Sequence, residues 1–145
     1  MSEVIAAPVT ITAFGTPAGQ GRLSFYGRGR AVHSNHKRLM PWRAAIADAA
    51  RQTVDIPLDG PVIVEITVTV PKPASAPKRR TSWPVTRFSG DWDHHARAVC
   101  DALTGIAYRD DSQVVEGTCR KVYPGEGIDA LDRPGAVIRI WAVPA

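Results

Sequence analysis

Four aspartates are concentrated in one stretch of the chain. Asp91 and Asp93 lie one residue apart, and Asp110 and Asp111 follow about twenty residues later. Carboxylates brought together repel one another unless a cation compensates their charge, and hard oxygen ligands favour a divalent cation such as Mg²⁺. The chain as a whole is nonetheless basic, with a formal net charge of +4. These residues predict a Mg²⁺-dependent enzyme that acts on a polyanion, with Mn²⁺ expected to substitute.

The spacing of the first aspartates matters because they precede a segment with helical periodicity, from about Asp93 to Leu103. Asp93, Arg97 and Asp101 are spaced by four, so they share one side of this helix, beside its buried stripe. Asp91 comes just before the helix, where its carboxylate can turn toward Asp93. Two carboxylates presented from one corner would form part of a cage for Mg²⁺.

The second pair of aspartates is expected to supply a third ligand, because residues 108–113 are few enough to bring the chain back alongside the helix. If the chain after Asp110 is extended, neighbouring side chains point to opposite faces, and only one can easily enter the same site. Asp111 is favoured. The cation would position a water, lower its pKa and stabilise the charge on a phosphodiester, while Arg97 clamps a phosphate oxygen.

Each of these signals has a structural alternative. An Asp-x-Asp pair before a helix is most often a capping arrangement. Asp110 and Asp111 could equally form a solvated turn, and Arg97 and Asp101 an i,i+4 surface pair. Taken singly, these residues do not decide between a metal site and ordinary helix and turn chemistry.

Five segments have the character of strands. The clearest is Val62 to Val70, which carries an apolar residue at every second position over most of its length. The others are Val9 to Phe14, a short extended piece at Leu23 to Tyr26, Val114 to Tyr123, and Ala136 to Val143. No internal repeat is present.

A helix is predicted from about Pro41 to Thr53, with Pro41 at its first position. Two principal helices packed on a mixed β-sheet of about four or five strands indicate an α+β fold, with residues 1–145 forming a single small domain. Between the sheet and the acidic helix, residues 71–90 are rich in Pro, Lys, Arg and Ser without periodicity. This composition predicts a long, mobile, basic loop.

The location of the protein is predicted from its cysteines and its amino terminus. Cys100 and Cys119 lack the spacing of a zinc site and are too few for a disulfide framework, which favours the cytoplasm. No basic region followed by a long apolar run opens the chain, and no stretch approaches the length that spans a bilayer. Neither secretion nor contact with a membrane is expected.

One ordered string of residues is far more specific than its parts. It runs from Asp91, Trp92 and Asp93 through Arg97, then Asp-Ala-Leu-Thr-Gly at 101–105 and Tyr-Arg-Asp-Asp-Ser-Gln-Val at 108–114. It closely resembles the signature of the RusA family of Holliday junction resolvases. That signature comprises Asp-x-Asp-Asn, a Lys four residues after the second Asp, then Asp-Ala-Leu and Asp-Asp-x-Gln-Val. Weaker likeness covers nearly the whole chain.

The resemblance implies a small homodimeric α+β protein that cuts four-way DNA junctions with Mg²⁺, in the cytoplasm of a bacterium or encoded by a phage. Carried across by position, the metal ligands would be Asp91, Asp93 and Asp111, with Asp110 accessory. A two-fold dimer with one acidic site per subunit also matches the two strands that a junction presents for symmetric incision.

The chain departs from the family pattern at two positions, where Asn is replaced by His94 and Lys by Arg97. A guanidinium stays protonated, so Arg97 could take over an electrostatic role of the lysine but not a proton-donating one. The replacements leave open a branched-DNA binding protein with weak catalysis. A separate alternative is a nuclease of the same chemistry that acts mainly on flaps and forks.

Phosphate contacts are predicted for basic residues outside the acidic pocket, in segments that resemble loops. These residues are Arg22, Arg28, Arg30, Lys37, Arg38, Lys72, Lys78, Arg79, Arg80 and Arg87. Trp83 and Phe88 lie among them. Each ring could stack on unpaired bases, anchor the loop to the core, or pack at a dimer interface.

Overall fold

A computed structural model describes residues 6–21, 23–26, 30–33, 36–76 and 81–144. The elements in these residues are β1 (Val9–Phe14), β2 (Leu23–Tyr26), β3 (Arg30–His33), α1 (His36–Thr53), β4 (Val62–Thr69), α2 (Trp92–Leu103), β5 (Val114–Val122) and β6 (Gly135–Ala142). Two short 3₁₀ turns, Arg87–Ser89 and Asp111–Gln113, precede α2 and β5 respectively.

The main sheet has four strands in the order β1-β6-β4-β5. β4 pairs in parallel with β5, whereas the β1–β6 and β4–β6 pairs are antiparallel. A parallel pair needs a crossover connection, and α2 lies in the connection between β4 and β5. β2 and β3 form a separate antiparallel hairpin. This mixed sheet with two helices confirms the predicted α+β class.

The core lies where the two helices contact each other and the sheet. Successive side chains of a strand point to opposite faces, and the residues on one face of β4 are all buried: Val62, Val64, Ile66 and Val68. Thr67 and Thr69 on the other face are buried as well. The buried residues of α2 recur at helical spacing: His95, Ala98, Val99, Ala102 and Leu103. The burial of this stripe leaves Asp91, Asp93 and Arg97 on the exposed side of α2.

The prediction that Pro41 opens the first helix was wrong, because α1 begins at His36 and contains Pro41. Leu39 is fully buried and lies three residues before Trp42, which is also buried, so the apolar stripe extends toward the amino terminus. Proline removes one backbone donor from a helix. In α1 the burial of Leu39 favours a helix that begins before Pro41, and this effect is larger than the preference of proline for the first helical position.

The predicted basic loop is described at residues 71–76 and 81–90. Hydrogen bonds join it to the segment that follows β5. Glu126 accepts hydrogen bonds from Lys72 Nζ at 2.6 Å and from the backbone N–H of Ser82 at 2.9 Å. The mobility of the loop stays a prediction. Among the described helices, none has both the length and the apolar character needed to cross a membrane.

Candidate active site

The carboxylates of Asp91 and Asp93 lie together at the amino terminus of α2. Ligand atoms of Asp91, Asp93 and His94 all lie within 4.8 Å of one another, which makes them the one group of three possible metal ligands found in the described residues. His94 Nδ1 is 3.5 Å from Asp91 Oδ2. Both aspartates are exposed and His94 is half-buried. The positive end of the helix dipole favours negative charge at this position.

Asp91 occupies the N-cap position of α2 but does not cap it. Its backbone is extended, with φ −81° and ψ 140°, and its side chain accepts no capping hydrogen bond. An aspartate that serves as a cap accepts a hydrogen bond from a backbone N–H of the first turn. The carboxylate oxygens of Asp91 are therefore not committed to helix capping.

Asp111 lies beside Asp101 instead of in the group around Asp91. The two carboxyl groups lie close together, and burial together with the neighbouring Asp101 raises the pKa of Asp111. Asp101 follows Asp93 by two turns of helix, roughly 12 Å along the axis. In this structure, then, Asp91 and Asp93 are brought together, and Asp111 is not brought into their group.

Asp101 is also held by Gln20, a contact that the sequence did not predict. Gln20 Nε2 donates to Asp101 Oδ2, and Arg43 Nη1 donates to Gln20 Oε1 at 3.3 Å. The Gln20 backbone N–H donates to His94 O at 2.9 Å, so the segment after β1 lies directly against α2. A Cβ on Gly19 would approach His94 Cβ to 2.8 Å, which only glycine avoids.

Asp110 caps the 3₁₀ turn that carries Asp111. Its Oδ2 accepts from the Ser112 backbone N–H at 3.1 Å, and these hydrogen bonds lower the pKa of Asp110. Gln113 completes a capping box and donates to Leu58 O and Gly60 O at 2.9 and 2.8 Å. Asp110 therefore forms a turn, as the structural alternative proposed, and the Gln113 hydrogen bonds hold this turn against the segment before β4.

Arg97 lies on the exposed side of α2, four residues from both Asp93 and Asp101. No ion pair joins it to a carboxylate anywhere in the described part of the chain, so the surface pair with Asp101 is absent. Within the described residues, its guanidinium is therefore available to another anion.

The turn that leads into Asp91 is braced by a buried histidine. His95 Nε2 lies 2.6 Å from Ser89 O, and burial lowers the pKa of His95 despite this hydrogen bond. Because a carbonyl oxygen only accepts, His95 donates its Nε2–H to Ser89 O. Gly90 has φ +84°, and a Cβ there would lie 2.6 Å from His95 Nε2. Only glycine satisfies both the backbone conformation and the close approach.

Lys121 in β5 holds the same turn from another element. Its Nζ donates to Gly90 O at 2.7 Å and to Ser89 Oγ at 3.0 Å. Because Asp91 follows Gly90 directly, Lys121 and His95 fix the peptide that sets the position of the Asp91 carboxylate. Neither residue belongs to the acidic string, and no sequence signal distinguishes them from other basic residues of the core and strands.

Comparison with known proteins decides the family. The profile described as Endodeoxyribonuclease RusA matches residues 15–130, a span that contains the whole acidic string. This chain belongs to the RusA family. The match confirms the resemblance and implies a DNA endonuclease of the Holliday junction resolvase type. The chain is also similar to uncharacterized protein YqaN of Bacillus subtilis (strain 168), with 30% identity over 131 residues that cover 81% of this chain and 89% of the relative.

The basic residues predicted to hold DNA in this RusA family member have different surroundings. Lys37, Arg38 and Arg87 are exposed, whereas Lys72 is ion-paired with Glu126 at 2.6 Å. Arg30 lies in β3. Five predicted contacts lie outside the described residues: Arg22, Arg28, Lys78, Arg79 and Arg80.

The aromatic rings of the loop lie on the surface of this RusA family member. Trp83 is 61% exposed and Phe88 is 67% exposed, so neither anchors the loop by full burial. The guanidinium carbon of Arg38 lies 5.6 Å from the centroid of the Phe88 ring. This cation–π contact places a positive charge and an exposed ring side by side close to the turn before Asp91.

Proposed function

We propose that this protein is a divalent-metal-dependent endonuclease that resolves four-way DNA junctions by paired symmetric incision, acting as a homodimer. The observation that carries the proposal is the meeting of the Asp91 and Asp93 carboxylates at the start of α2, with Asp91 not engaged in capping. Membership of the RusA family supplies the class of reaction. The net charge of +4 suits a polyanionic substrate.

The proposed ligands of Mg²⁺ or Mn²⁺ are Asp91, Asp93 and Asp111, with Asp110 accessory. Asp91 and Asp93 fit such a cation because they offer exposed oxygen donors within 4.8 Å of each other. When bound, the cation would lower the pKa of a water and offset charge on the scissile phosphodiester. His94 contributes an imidazole, a poor ligand for Mg²⁺, and its proposed role is to orient Asp91 at 3.5 Å.

Arg97 is proposed to hold a phosphate oxygen of the substrate. It projects from the same side of α2 as Asp93, one turn farther along, and has no carboxylate partner among the described residues. A guanidinium offers several donors in a fixed plane and matches a phosphate well. Since it stays protonated, Arg97 acts through charge and orientation while protons move elsewhere.

The dimer is proposed from symmetry. A four-way junction presents two equivalent strands, and a two-fold pair of subunits would place one acidic site at each. The exposed cations Lys37, Arg38 and Arg87, with the other predicted basic residues, would bind the arms through their phosphates.

The test is a cleavage assay with a synthetic four-way junction labelled on each strand in turn. With Mg²⁺ or Mn²⁺ the protein should introduce paired nicks at symmetric positions near the crossover, and a chelator should abolish them. The Asp93→Asn variant should bind the junction without cutting it. Intact junction at every metal concentration, with folded and bound protein, would contradict the proposal.

A second candidate is a branched-DNA binding protein with weak catalysis. The observation that favours it is the separation of Asp111 from the Asp91 group, together with the family Asn and Lys replaced by His94 and Arg97. Tight binding without turnover in the same assay would select it. Rates on flaps and forks compared with four-way junctions would identify a nuclease whose main substrate is another branch.

A further inference from the structure

A groove of about 1040 Å³ lies next to the turn that positions Asp91. It runs between α1, the end of β1 and the 3₁₀ turn before α2, as far as the described residues outline it. Small-molecule sites have volumes of about 300–1,000 Å³ and are mostly apolar with a few polar groups. Six of the lining residues carry the inference: Arg38, Trp42, Ala45, Arg87, Phe88 and His95.

The rim of the groove combines positive charge with an exposed aromatic ring. Phe88 is 67% exposed, and Arg38 lies over it at 5.6 Å. Neither Arg38 nor Arg87 is ion-paired with a carboxylate in the described residues. Aromatic rings that stack on bases, next to cations that hold the backbone, are the features of proteins that bind single-stranded nucleic acid.

Two buried rings that line the groove have unsatisfied polar atoms. Trp42 and His95 are each 1% exposed, and neither Trp42 Nε1 nor His95 Nδ1 has a hydrogen-bond partner in the described part of the chain. Buried polar atoms without partners are uncommon in folded proteins. The two rings form part of the buried lining of the groove.

The groove is continuous with the acidic site. Gly90 and His95 line it, and Asp91 follows Gly90 in the chain. A DNA strand with one phosphate at Asp91 and Asp93 would therefore bring a neighbouring nucleotide to the groove. The positive charges and the exposed ring suit an occupant that carries negative charge and an aromatic ring, as a nucleotide does.

We propose that this groove takes an unpaired nucleotide adjoining the scissile phosphate, with its base against Phe88 and its phosphates held by Arg38 and Arg87. The inference rests on the proposed function and adds to it a requirement for an unstacked nucleotide beside the cut. Junction crossovers can supply one, because removing a base from the stack needs least energy where pairing is already interrupted.

The test compares a normal junction with junctions that have an abasic site at either nucleotide flanking the cut. Binding is measured in a chelator, so that cleavage does not enter. The wild-type protein should bind one of the abasic junctions roughly tenfold more weakly than the normal junction, since stacking on an aromatic side chain contributes on that scale.

Two variants test the groove, each beside a matched control. One variant fills the groove and the other removes its exposed aromatic ring. Ala45→Phe fills it, whereas Ala44→Phe adds the same ring to the exposed side of α1. Phe88→Ala removes the exposed stacking surface without disturbing the core, whereas Val85→Ala shortens an exposed side chain outside the groove. Ala45→Phe and Phe88→Ala should bind the normal junction roughly tenfold more weakly and lose discrimination against the abasic site. The controls should behave as wild type.

Equal discrimination against the abasic site in wild type and all four variants would overturn the inference. So would a loss of dimer in Ala45→Phe with discrimination intact, because the groove would then hold a second copy of the chain. If the wild type binds and cuts junctions with no abasic effect, the inference fails and the proposed function stands. If it neither binds nor cuts them, both fail.

Discussion

The carboxyl groups of Asp101 and Asp111 lie close together, and burial together with this neighbouring carboxyl raises the pKa of Asp111. Asp101 belongs to α2 and Asp111 to the turn before β5. Asp101 Oδ2 also accepts a hydrogen bond from Gln20 Nε2. To act as the third metal ligand, the Asp111 carboxyl group would have to leave Asp101 and bind the cation held by Asp91 and Asp93. Whether this exchange occurs distinguishes a working nuclease from a protein that only binds DNA.

Replacement of Asp111 by asparagine should abolish cleavage while junction binding is kept. The amide removes the negative charge that a divalent cation requires, and we expect a loss of roughly 100-fold or more in cleavage rate. The measurement is single-turnover cleavage beside a binding titration in chelator. Asp132→Asn, an exposed aspartate after β5, is the control and should cut normally. An equal fall in binding and cleavage in Asp111→Asn would contradict the separation of roles.

Replacement of Lys121 by methionine should weaken metal-dependent cleavage through the position of Asp91. The methionine keeps the aliphatic part of the side chain but loses the hydrogen bonds to Gly90 O and Ser89 Oγ. We expect a higher Mg²⁺ concentration at half-maximal rate, unchanged junction affinity, and partial rescue by Lys121→Arg. A change in junction affinity alone, with the same metal requirement, would make Lys121 a DNA-binding residue instead.

The Gly90→Ala substitution should destabilise the fold more than Gly105→Ala. Both glycines have positive φ, +84° and +82°, so both variants carry the same backbone strain. Only at Gly90 would the new Cβ meet another residue, His95 Nε2 at 2.6 Å, and nothing lies within 4 Å at Gly105. We expect Gly90→Ala to lower the free energy of unfolding by about 1–3 kcal/mol more than the control. Equal losses in the free energy of unfolding, measured in urea, would show that His95 moves away from the new Cβ without an energetic cost.

Stability should fall at acid pH in part because of Asp129. Arg139 donates to both of its oxygens, at 2.5 and 2.8 Å, and lowers the pKa of Asp129. A carboxyl whose pKa is lower in the folded state contributes stability above its unfolded pKa of about 4, and this is lost as the pH falls. Asp129→Asn should therefore be less stable at pH 7 and show a shallower loss toward acid. Parallel pH curves for wild type and Asp129→Asn would exclude this role.

Replacement of Lys37 by glutamine should weaken junction binding and reduce its salt dependence. A lysine that neutralises one phosphate contributes about one unit to the slope of log affinity against log salt. Arg51→Gln is the control, because Arg51 lies in the last turn of α1 and is paired with Asp48 at 3.1 Å. Identical slopes for both variants would remove Lys37 from the DNA-binding surface.

Helices and strands could be predicted from the sequence where a local pattern of residues decides the structure. The alternation along β4 and the helical spacing of α2 placed both elements within one or two residues. Pro41 misled because its local signal competed with the burial of Leu39. The meeting of Asp91 and Asp93 was also predictable, since the two residues are neighbours in sequence.

Contacts between distant segments could not be predicted in the same way. Lys121 reaches Gly90 across 31 positions, and Gln20 reaches Asp101 across 81. Nothing in the types or spacing of these residues indicates such pairs, because they depend on how the strands and helices are packed. The position of Asp111 beside Asp101 has the same origin.

The most direct test of the proposed metal site is a crystal of the protein with an uncut junction and Mn²⁺, examined by anomalous diffraction. We predict a Mn²⁺ peak at coordination distance, about 2.1 Å, from oxygens of Asp91, Asp93 and Asp111. A peak bound by Asp91 and Asp93 while the Asp111 carboxyl group remains beside Asp101, or no peak at this end of α2, would contradict it.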